Sequence, residues 1–597
     1  MSNKIPWAVR LQHLLPFYRR HAFSFAIGFV LLTATAITTA AIPYVLKLAI
    51  DTLTAQQSQT AISNFALALI ALAILNAFMR VKARTHIFGI GRQVEYELRK
   101  VYHNKLLELD SPFFDGERTG DLVARGNNDV TAVRMFIGPG FLQITNTVLA
   151  YAVTLPIMIG LDPMLTLVIM APFPVALIAA RYLTRILYRL SRKVADKFGE
   201  MSSFVQETVA GVAVIRAHAQ ENNWRNRFNQ ESQELYQAHL DHTRLQSLFS
   251  PLVILSGGAG SLILLYYGGG HVASGDLTVG DFVAFSGYLA VLVWPTVGLG
   301  WILTVMQRGL AALERIGRIL DTDPFIKSSN DKIQQKNKNR LHGSIKIKGL
   351  SFGFDDSTTD KPVLNNIDMD IANGSFIGLV GRVGSGKSVL LNCLARLYPT
   401  PKGCITIAGK EIMEIPESQL RENLIMAPQE SFLFSTTIRE NIQIGVKGEN
   451  DEQQAWRAAQ QAVFDKEIEE FPEQIDTVVG ERGITLSGGQ RQRAALARAL
   501  AVDPAILLLD DIFSSVDANT EAKILENLRD VAKGRTIIMV CHRVAALHNA
   551  DHIYLLDDGE INAQGRHEEL LQNSELYRNL HSNMAKEEAL AQLSEAS

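Results

Sequence analysis

Cysteine is nearly absent. The chain has three in 597 residues, Cys393, Cys404 and Cys541, with no Cys-x-x-Cys pair and no histidine cluster beside them. That excludes a disulfide scaffold and a zinc finger and fits thiols in a reducing compartment. Charge of one sign is missing too. With 58 basic and 61 acidic residues the net charge is −3, which leaves no nucleic-acid footprint. No cleavable signal peptide pattern opens the chain. Charged residues are also absent from six long stretches: Ala22–Leu46, Ala61–Met79, Met135–Leu161, Pro163–Ala180, the residues between Leu245 and Asp276, and Phe282–Gln307. Each is close to or above the roughly twenty residues a helix needs to cross hydrocarbon. The pattern predicts six spans, the third and fourth joined by the tight turn Asp162-Pro163. At this length the chain holds more than one domain. Apolar residues make up only 47% overall, so a greasy half is joined to a polar half.

Basic residues set the orientation. Residues 80–134 hold ten Lys/Arg and residues 181–247 ten more, while the three opposite connections hold almost none. Both long connections and both termini are therefore expected on the cytoplasmic side. Residues 1–20 carry Lys4, Arg10, Arg19 and Arg20, with Trp7, Leu11, Leu14 and Leu15 on one helical face. They read as an amphipathic segment on the membrane surface. The long connections are poor in Gly and Pro and keep helical spacing, so they read as membrane helices continuing into the cytosol. One folds back near Ser111-Pro112-Phe113-Phe114 and Thr119-Gly120-Asp121, the other near Ala210-Gly211-Val212. No charged residue lies inside a span, which argues against ion coupling. Tyr266, Tyr267, Phe285, Tyr288, Trp294 and Trp301 are candidates for an aromatic cavity lining, or else packing and interface anchors.

After residue 320 the composition changes. Residues 321–343 are polar and mixed in charge, an exposed connector. A second domain is expected over 344–580, with a tail over 581–597. Inside it, Gly381, Arg382, Val383, Gly384, Ser385, Gly386, Lys387 and Ser388 fit the Gly-x4-Gly-Lys-Ser/Thr phosphate loop, after a short apolar strand and before a helix. Its backbone N–H groups are free to point at phosphate oxygens. Lys387 places a cation on the β/γ-phosphates and the Ser388 hydroxyl is a Mg²⁺ ligand. About a hundred residues later Leu486 is followed by Ser487, Gly488, Gly489 and Gln490, opening a helix. A Ser-Gly-Gly turn at a helix N-terminus is a second anion site. Two phosphate-seeking turns in one domain suggest one nucleotide held between two copies of it.

The phosphate loop with Leu486–Gln490 resembles the ATP-binding-cassette (ABC) ATPases, whose signature is Leu-Ser-Gly-Gly-Gln. The six spans prolonged into the cytosol resemble the exporter-type ABC transmembrane domain. The implied fold is a membrane all-α six-span exporter-type domain fused to a cytosolic α/β P-loop ATPase. The resemblance implies coupling contacts at Gly120–Val130 and Glu207–Ile215, with Phe432-Leu433-Phe434 as an apolar groove patch and Gly480–Gly483 as a loop sensing the coupling helices. It implies ATP and Mg²⁺ as cofactors, with Phe354 stacking on adenine and Asp510, at the end of the apolar strand Ala505–Leu509, on the metal. Gln429 would contact Mg²⁺ and the attacking water. Ser514–Asp517 would form the loop between the two sites. A lone histidine is more often structural, but the place of His542 after the strand Thr536–Cys541 implies contact with the γ-phosphate.

One residue departs from the family pattern. Where a glutamate usually follows the metal-binding Asp, this chain has Asp511. Its carboxylate stops about 1.5 Å short, one C–C bond, and general-base help is worth about 10²–10⁴-fold. A lost glutamate beside a complete signature resembles one subunit of heterodimeric bacterial exporters, described as multidrug-resistance-like ATP-binding exporters. The expected function is ATP-driven export of drug-like or lipid compounds across the bacterial inner membrane. The expected partners are a second half-transporter, membrane lipid and a hydrophobic small molecule, and not nucleic acid. Two rivals stay open: an importer of chelated metal, which a charged cavity would favour, and a low-turnover regulator or channel, which Asp511 alone would permit.

Overall fold

The computed structural model of the protein describes residues 12–55, 59–325, 340–354, 361–446, 452–480, 483, 485–541 and 547–582. Two compact units divide the chain: residues 1–108 with 117–322, and residues 109–116 with 323–597.

The first unit is helical. Its long elements are Ala22–Thr54, Gln59–Glu108, Phe141–Leu161 entered through two π-turns, Pro163–Met170 running into Pro172–Ala210, Glu221–Ser247 and Val279–Asp321. Among the described residues five helices are long and apolar enough to cross a membrane. The fifth predicted span is built of shorter consecutive pieces, Phe249–Ile263, a π-turn at Leu264–Gly268 and Gly269–Ser274. Gln59–Glu108 has 50 residues, about 75 Å at 1.5 Å per residue, well beyond a hydrocarbon core of about 30 Å. The helix therefore has to continue past the lipid, as the sequence pattern predicts.

Polar side chains tie the helices together both along the predicted spans and beyond them. Asn76 Nδ2 donates to Thr38 Oγ1 at 2.8 Å and Thr39 Oγ1 at 2.7 Å. Lys47 Nζ meets Asp281 at 2.6 Å, and Asp51 Oδ1 accepts from Gly280 N–H at 3.1 Å. Arg315 grips Asp129 in a fork, Nε at 2.7 Å and Nη2 at 2.5 Å. Such two-pronged pairs fix orientation as well as distance.

The six aromatic candidates do not gather. Phe285 and Tyr288 are fully buried in the helical core, while Tyr266, Tyr267, Trp294 and Trp301 are exposed. An apolar cavity of about 520 Å³ lies elsewhere, lined by Tyr151, Leu155, Pro163, Met170, Phe173 and Leu299 among others.

The second unit is α/β. Its strands are β1 (Ile345–Phe352), β2 (Leu364–Ile371), β3 (Phe376–Gly381), β4 (Ile405–Ile407), β5 (Lys410–Glu411), β6 (Leu424–Ala427), β7 (Ile506–Asp510), β8 (Thr536–Val540), β9 (His552–Asp557) and β10 (Glu560–Gly565). β2-β1-β4-β5 form an antiparallel sheet and β10-β9-β3-β8-β7-β6 a second sheet. In the second, all pairs are parallel except β9–β10. Strands β7 and β8 are buried at every residue, which explains their unbroken apolar runs: a parallel strand covered on both faces has no solvent side. Pairing brings the ends of β3 and β7 onto one edge, with Asp510 opposite Val540 and Leu379 opposite Val540.

Residues 109–116 of the first cytosolic connection cluster with the ATPase unit. Arg118 is extended and the next helix starts at Thr119. From there the chain belongs to the membrane unit: Tyr102 donates to Leu122 O at 2.9 Å, and a Cβ on Gly126 would sit 3.1 Å from the Tyr102 ring. The short helix Ser111–Gly116 is thus the piece left free to join the other unit.

Candidate functional site

The phosphate loop leaves β3 at Gly381 and enters the helix Lys387–Leu394. Gly386 caps that helix with φ +97°, a left-handed conformation that a side chain would strain. A Cβ there would also press on Leu364 at 2.8 Å. Val383 stands out at the tip, while Ser385 and Lys387 are buried. Lys387 Nζ donates to Gly381 O at 2.9 Å, Arg382 O at 2.7 Å and Ser385 Oγ at 3.3 Å. Burial holds this ammonium below its ordinary pKa, against the pull of the Asp510 and Asp511 charges. Ser388 Oγ donates to Asp510 Oδ1 at 3.1 Å, so the loop and the end of β7 converge. Arg382 reaches Asp557 at 4.0 Å.

Asp511 follows with φ +46°, a conformation that Asp tolerates better than most residues. Its N–H donates to Val540 O at 3.2 Å, and its Oδ2 accepts from Gln429 Nε2 at 3.2 Å. Ser388, Gln429, Asp510 and Asp511 are therefore one cluster at the strand ends. His542 lies outside the described residues, as do Glu481 and Arg482.

Ser487 is the N-cap of the helix Gly488–Ala501. Its Oγ accepts from Gln490 N–H at 3.2 Å while Gln490 Oε1 accepts from Ser487 N–H at 2.9 Å. This reciprocal box fixes the turn without using the remaining free N–H groups of the first helical turn. Among the described residues no hydrogen bond or ion pair joins this turn to the phosphate loop of the same chain; its helix binds the loop after Asp511 instead. Gln492, buried, donates from Nε2 to Ser514 Oγ at 2.6 Å and accepts from Ser515 N–H at 2.9 Å. Sequence reading missed Gln492, although its place on the inward face of that helix was a signal.

Phe354 packs edge-on to Tyr398 at 5.5 Å, and Phe352 stacks on the same Tyr398 ring at 5.4 Å. The Tyr398 hydroxyl donates to Asp115 Oδ2, in the turn helix Ser111–Gly116, at 3.0 Å. Burial and that carboxylate push its pKa up to about 12. No spacing in the sequence pointed to Tyr398 or Asp115, because the contact joins residues far apart in the chain. The arrangement links Phe352 and Phe354 to the turn helix Ser111–Gly116, which clusters in the same unit, through one ring. Tyr398→Phe keeps the stack and deletes the link. Removing such a hydrogen bond is worth about 1 kcal/mol. ATP affinity is expected to stay within about twofold, while substrate stimulation of the ATPase falls about threefold or more. Unchanged stimulation would mean the hydroxyl carries no coupling.

Comparison with known proteins fits this geometry. The model of the ABC transporter transmembrane region matches residues 25–296 and that of the ABC transporter ATPase domain matches residues 364–514. The Bacillus subtilis (strain 168) protein named probable multidrug resistance ABC transporter ATP-binding/permease protein YheI is 35% identical over 569 residues, 94% of this chain and 95% of that one. The chain belongs to the ABC transporters. As such a transporter it couples ATP hydrolysis to export. The Escherichia coli (strain K12) multidrug resistance-like ATP-binding protein MdlA is 31% identical, covering 98% of each chain. The ATP-dependent lipid A-core flippase of Syntrophus aciditrophicus (strain SB) is 29% identical over 97% of this chain and 95% of its own. The structure of a bacterial Atm1-family ABC exporter with ATP bound superposes with a TM-score of 0.78 at 26% identity, covering 95% of this chain and 98% of that one. The exporter is thus a multi-pass membrane protein with a cytosolic ATPase.

Proposed function

We propose that this chain is one half of a two-subunit exporter in the bacterial inner membrane that expels hydrophobic or amphipathic compounds, with a second half-transporter as its partner. One observation carries the reading: the Ser487 turn, a ready anion site, is joined to its own helix and, through Gln492, to the loop after Asp511, and not to the phosphate loop of its own chain. The turn is then free to complete a site on another subunit. The apolar cavity and the names of the relatives support a hydrophobic cargo.

In this reading Lys387 holds the β/γ-phosphates and Phe354 offers its ring to adenine. Gln429 and Asp511 orient the attacking water, and His542 contacts the γ-phosphate. Ser388, Asp510 and Gln429 provide the hard oxygen donors that suit Mg²⁺. When bound, that ion neutralises charge on the phosphates. Closure of two nucleotide domains on ATP, and their release on hydrolysis, would drive alternating access.

The test is transport in proteoliposomes by the full-length chain, alone and with a Glu-bearing half-transporter. ATP-dependent movement of a fluorescent hydrophobic dye is expected for the pair. Lys387→Ala is expected to weaken ATP binding at this chain's loop at least about tenfold, the worth of lost charge-assisted hydrogen bonds. Dye movement that ignores ATP, or that persists undiminished in Lys387→Ala, would defeat the reading.

A further inference from the structure

The helix Pro172–Ala210 carries no Asp or Glu before Asp196, yet it holds Arg181, Arg185, Arg189 and Arg192. At 100° per residue these four fall within about an 80° arc and span about 17 Å of helix. All four are exposed, and exposed Tyr188 shares their face. Among the described residues none of the four has a hydrogen bond or ion pair. Elsewhere in the cytosolic part several cations are paired. Lys197 meets Glu200 and Glu234 at 2.7 and 2.6 Å. Arg92, Arg99 and Arg134 share Glu95, and Arg315 holds Asp129.

Position explains where anions would come from. Arg181 lies 18 residues after Pro163, about 27 Å along the helix axis, so it reaches the cytoplasmic end of a hydrocarbon core of about 30 Å. Arg185, Arg189 and Arg192 follow at successive turns. The neighbouring helix Glu221–Ser247 returns from the turn after Ala210 and packs back along it, and its last carboxylate, Asp241, already faces Arg244 at 4.0 Å. Beyond it the chain has no Asp or Glu until Asp276. The stripe starts at headgroup level with Arg181 and Arg185 and runs on toward the cytosol, and among the described residues neither Asp196 nor Asp241 pairs with it.

We propose that this arginine stripe is a docking surface for acidic phospholipid headgroups of the cytoplasmic leaflet. Guanidinium groups hold phosphate oxygens in two-pronged contacts, and Tyr188 suits the interfacial region beside them. Each arginine near an anionic surface is worth about a fivefold gain in affinity.

Native mass spectrometry of the purified full-length protein, with phosphatidylglycerol and phosphatidylcholine as probes, tests this. Wild type is expected to retain phosphatidylglycerol in preference, and the preference is expected to shrink as salt rises from 0.1 to 1 M, as the Debye length falls to about 3 Å. R181Q/R185Q/R189Q/R192Q is expected to lose at least about tenfold of it, while the fourfold Arg→Lys variant stays within about threefold. The paired variants R181Q/R185Q and R189Q/R192Q carry the same expectation if the fourfold change prevents folding. Equal retention of the two lipids, an unchanged preference in the glutamine variants, or competition by soluble glycerol phosphate would overturn the proposal. So would loss of subunit assembly in the glutamine variants with lipid preference intact, which would make the stripe a subunit contact.

Discussion

Gly489→Ala is expected to cut ATP turnover of the assembled exporter about a hundredfold while leaving ATP binding at this chain's own phosphate loop unchanged. A Cβ on Gly489 would stand 2.7 Å from Ser515 O, a backbone atom that cannot swing aside. Gly488 is nearly as confined, with a Cβ meeting Ser515 at 3.2 Å. The signature turn must therefore back away from the loop that Gln492 ties to it, carrying its free N–H groups off the phosphate they face. A displacement near 1 Å at such a site costs about 10²-fold. Helix propensity works in the opposite sense, since alanine is better than glycine in a helix by about 1 kcal/mol. The turnover loss should thus appear without a lower unfolding temperature. Phosphate release, nucleotide binding and thermal unfolding on the same preparation separate these effects. Turnover within threefold of wild type would mean that the turn does not approach phosphate. A fall in ATP affinity at the chain's own loop would mean that the turn serves its own site.

The sequence was legible wherever chemistry or solvent forces a local pattern. Hydrocarbon demands long uncharged runs, so five of the six predicted spans coincide with helices long and apolar enough to cross a membrane. A phosphate loop demands glycine and lysine at fixed spacing, so Gly381–Ser388 stood out, and the structure brings Ser388 to Asp510 and Gln429 to Asp511. A buried parallel strand demands an apolar run, so β7 and β8 could be read. What was not legible depends on three-dimensional neighbours. Tyr398 touches Asp115 across 283 residues of sequence, and nothing in the spacing of either residue announces the other. The turn read near Ser111–Phe114 and Thr119–Asp121 falls where the long helix Gln59–Glu108 ends and two short helices, Ser111–Gly116 and Thr119–Ala124, follow, with extended Arg118 between them. Of the two roles left open for the aromatics, burial gives packing to Phe285 and Tyr288, while Trp294 stands on the opposite face of the same helix, a distinction set by the other helices.

Gln492 and Tyr398 give the unit a common logic. Gln492 ties the signature helix to the loop after Asp511, and Tyr398 ties the Phe352 and Phe354 rings to the turn Ser111–Gly116. Displacing one member of either pair moves hydrogen-bond partners on the other.

Asp511→Glu is expected to raise turnover at this chain's own site at least about tenfold. The Asp511 backbone is pinned by its N–H bond to Val540 O at 3.2 Å, so an added methylene extends the carboxylate rather than moving the chain. The gain available from correct general-base placement is about 10²–10⁴. Against it stands the left-handed backbone, φ +46°, which Asp accepts more readily than Glu at a cost on the order of 1 kcal/mol. That cost is smaller than the roughly 3 kcal/mol represented by even a hundredfold rate gain, so the catalytic term should win. It should still register as a slightly lower unfolding temperature. Contact with Gln429, now 3.2 Å from the aspartate, must rearrange, and a drop in turnover would mean that this rearrangement or the strained backbone dominates. Unchanged turnover would mean that Asp511 already acts as the base at full strength, and the asymmetric two-subunit reading would lose its main support.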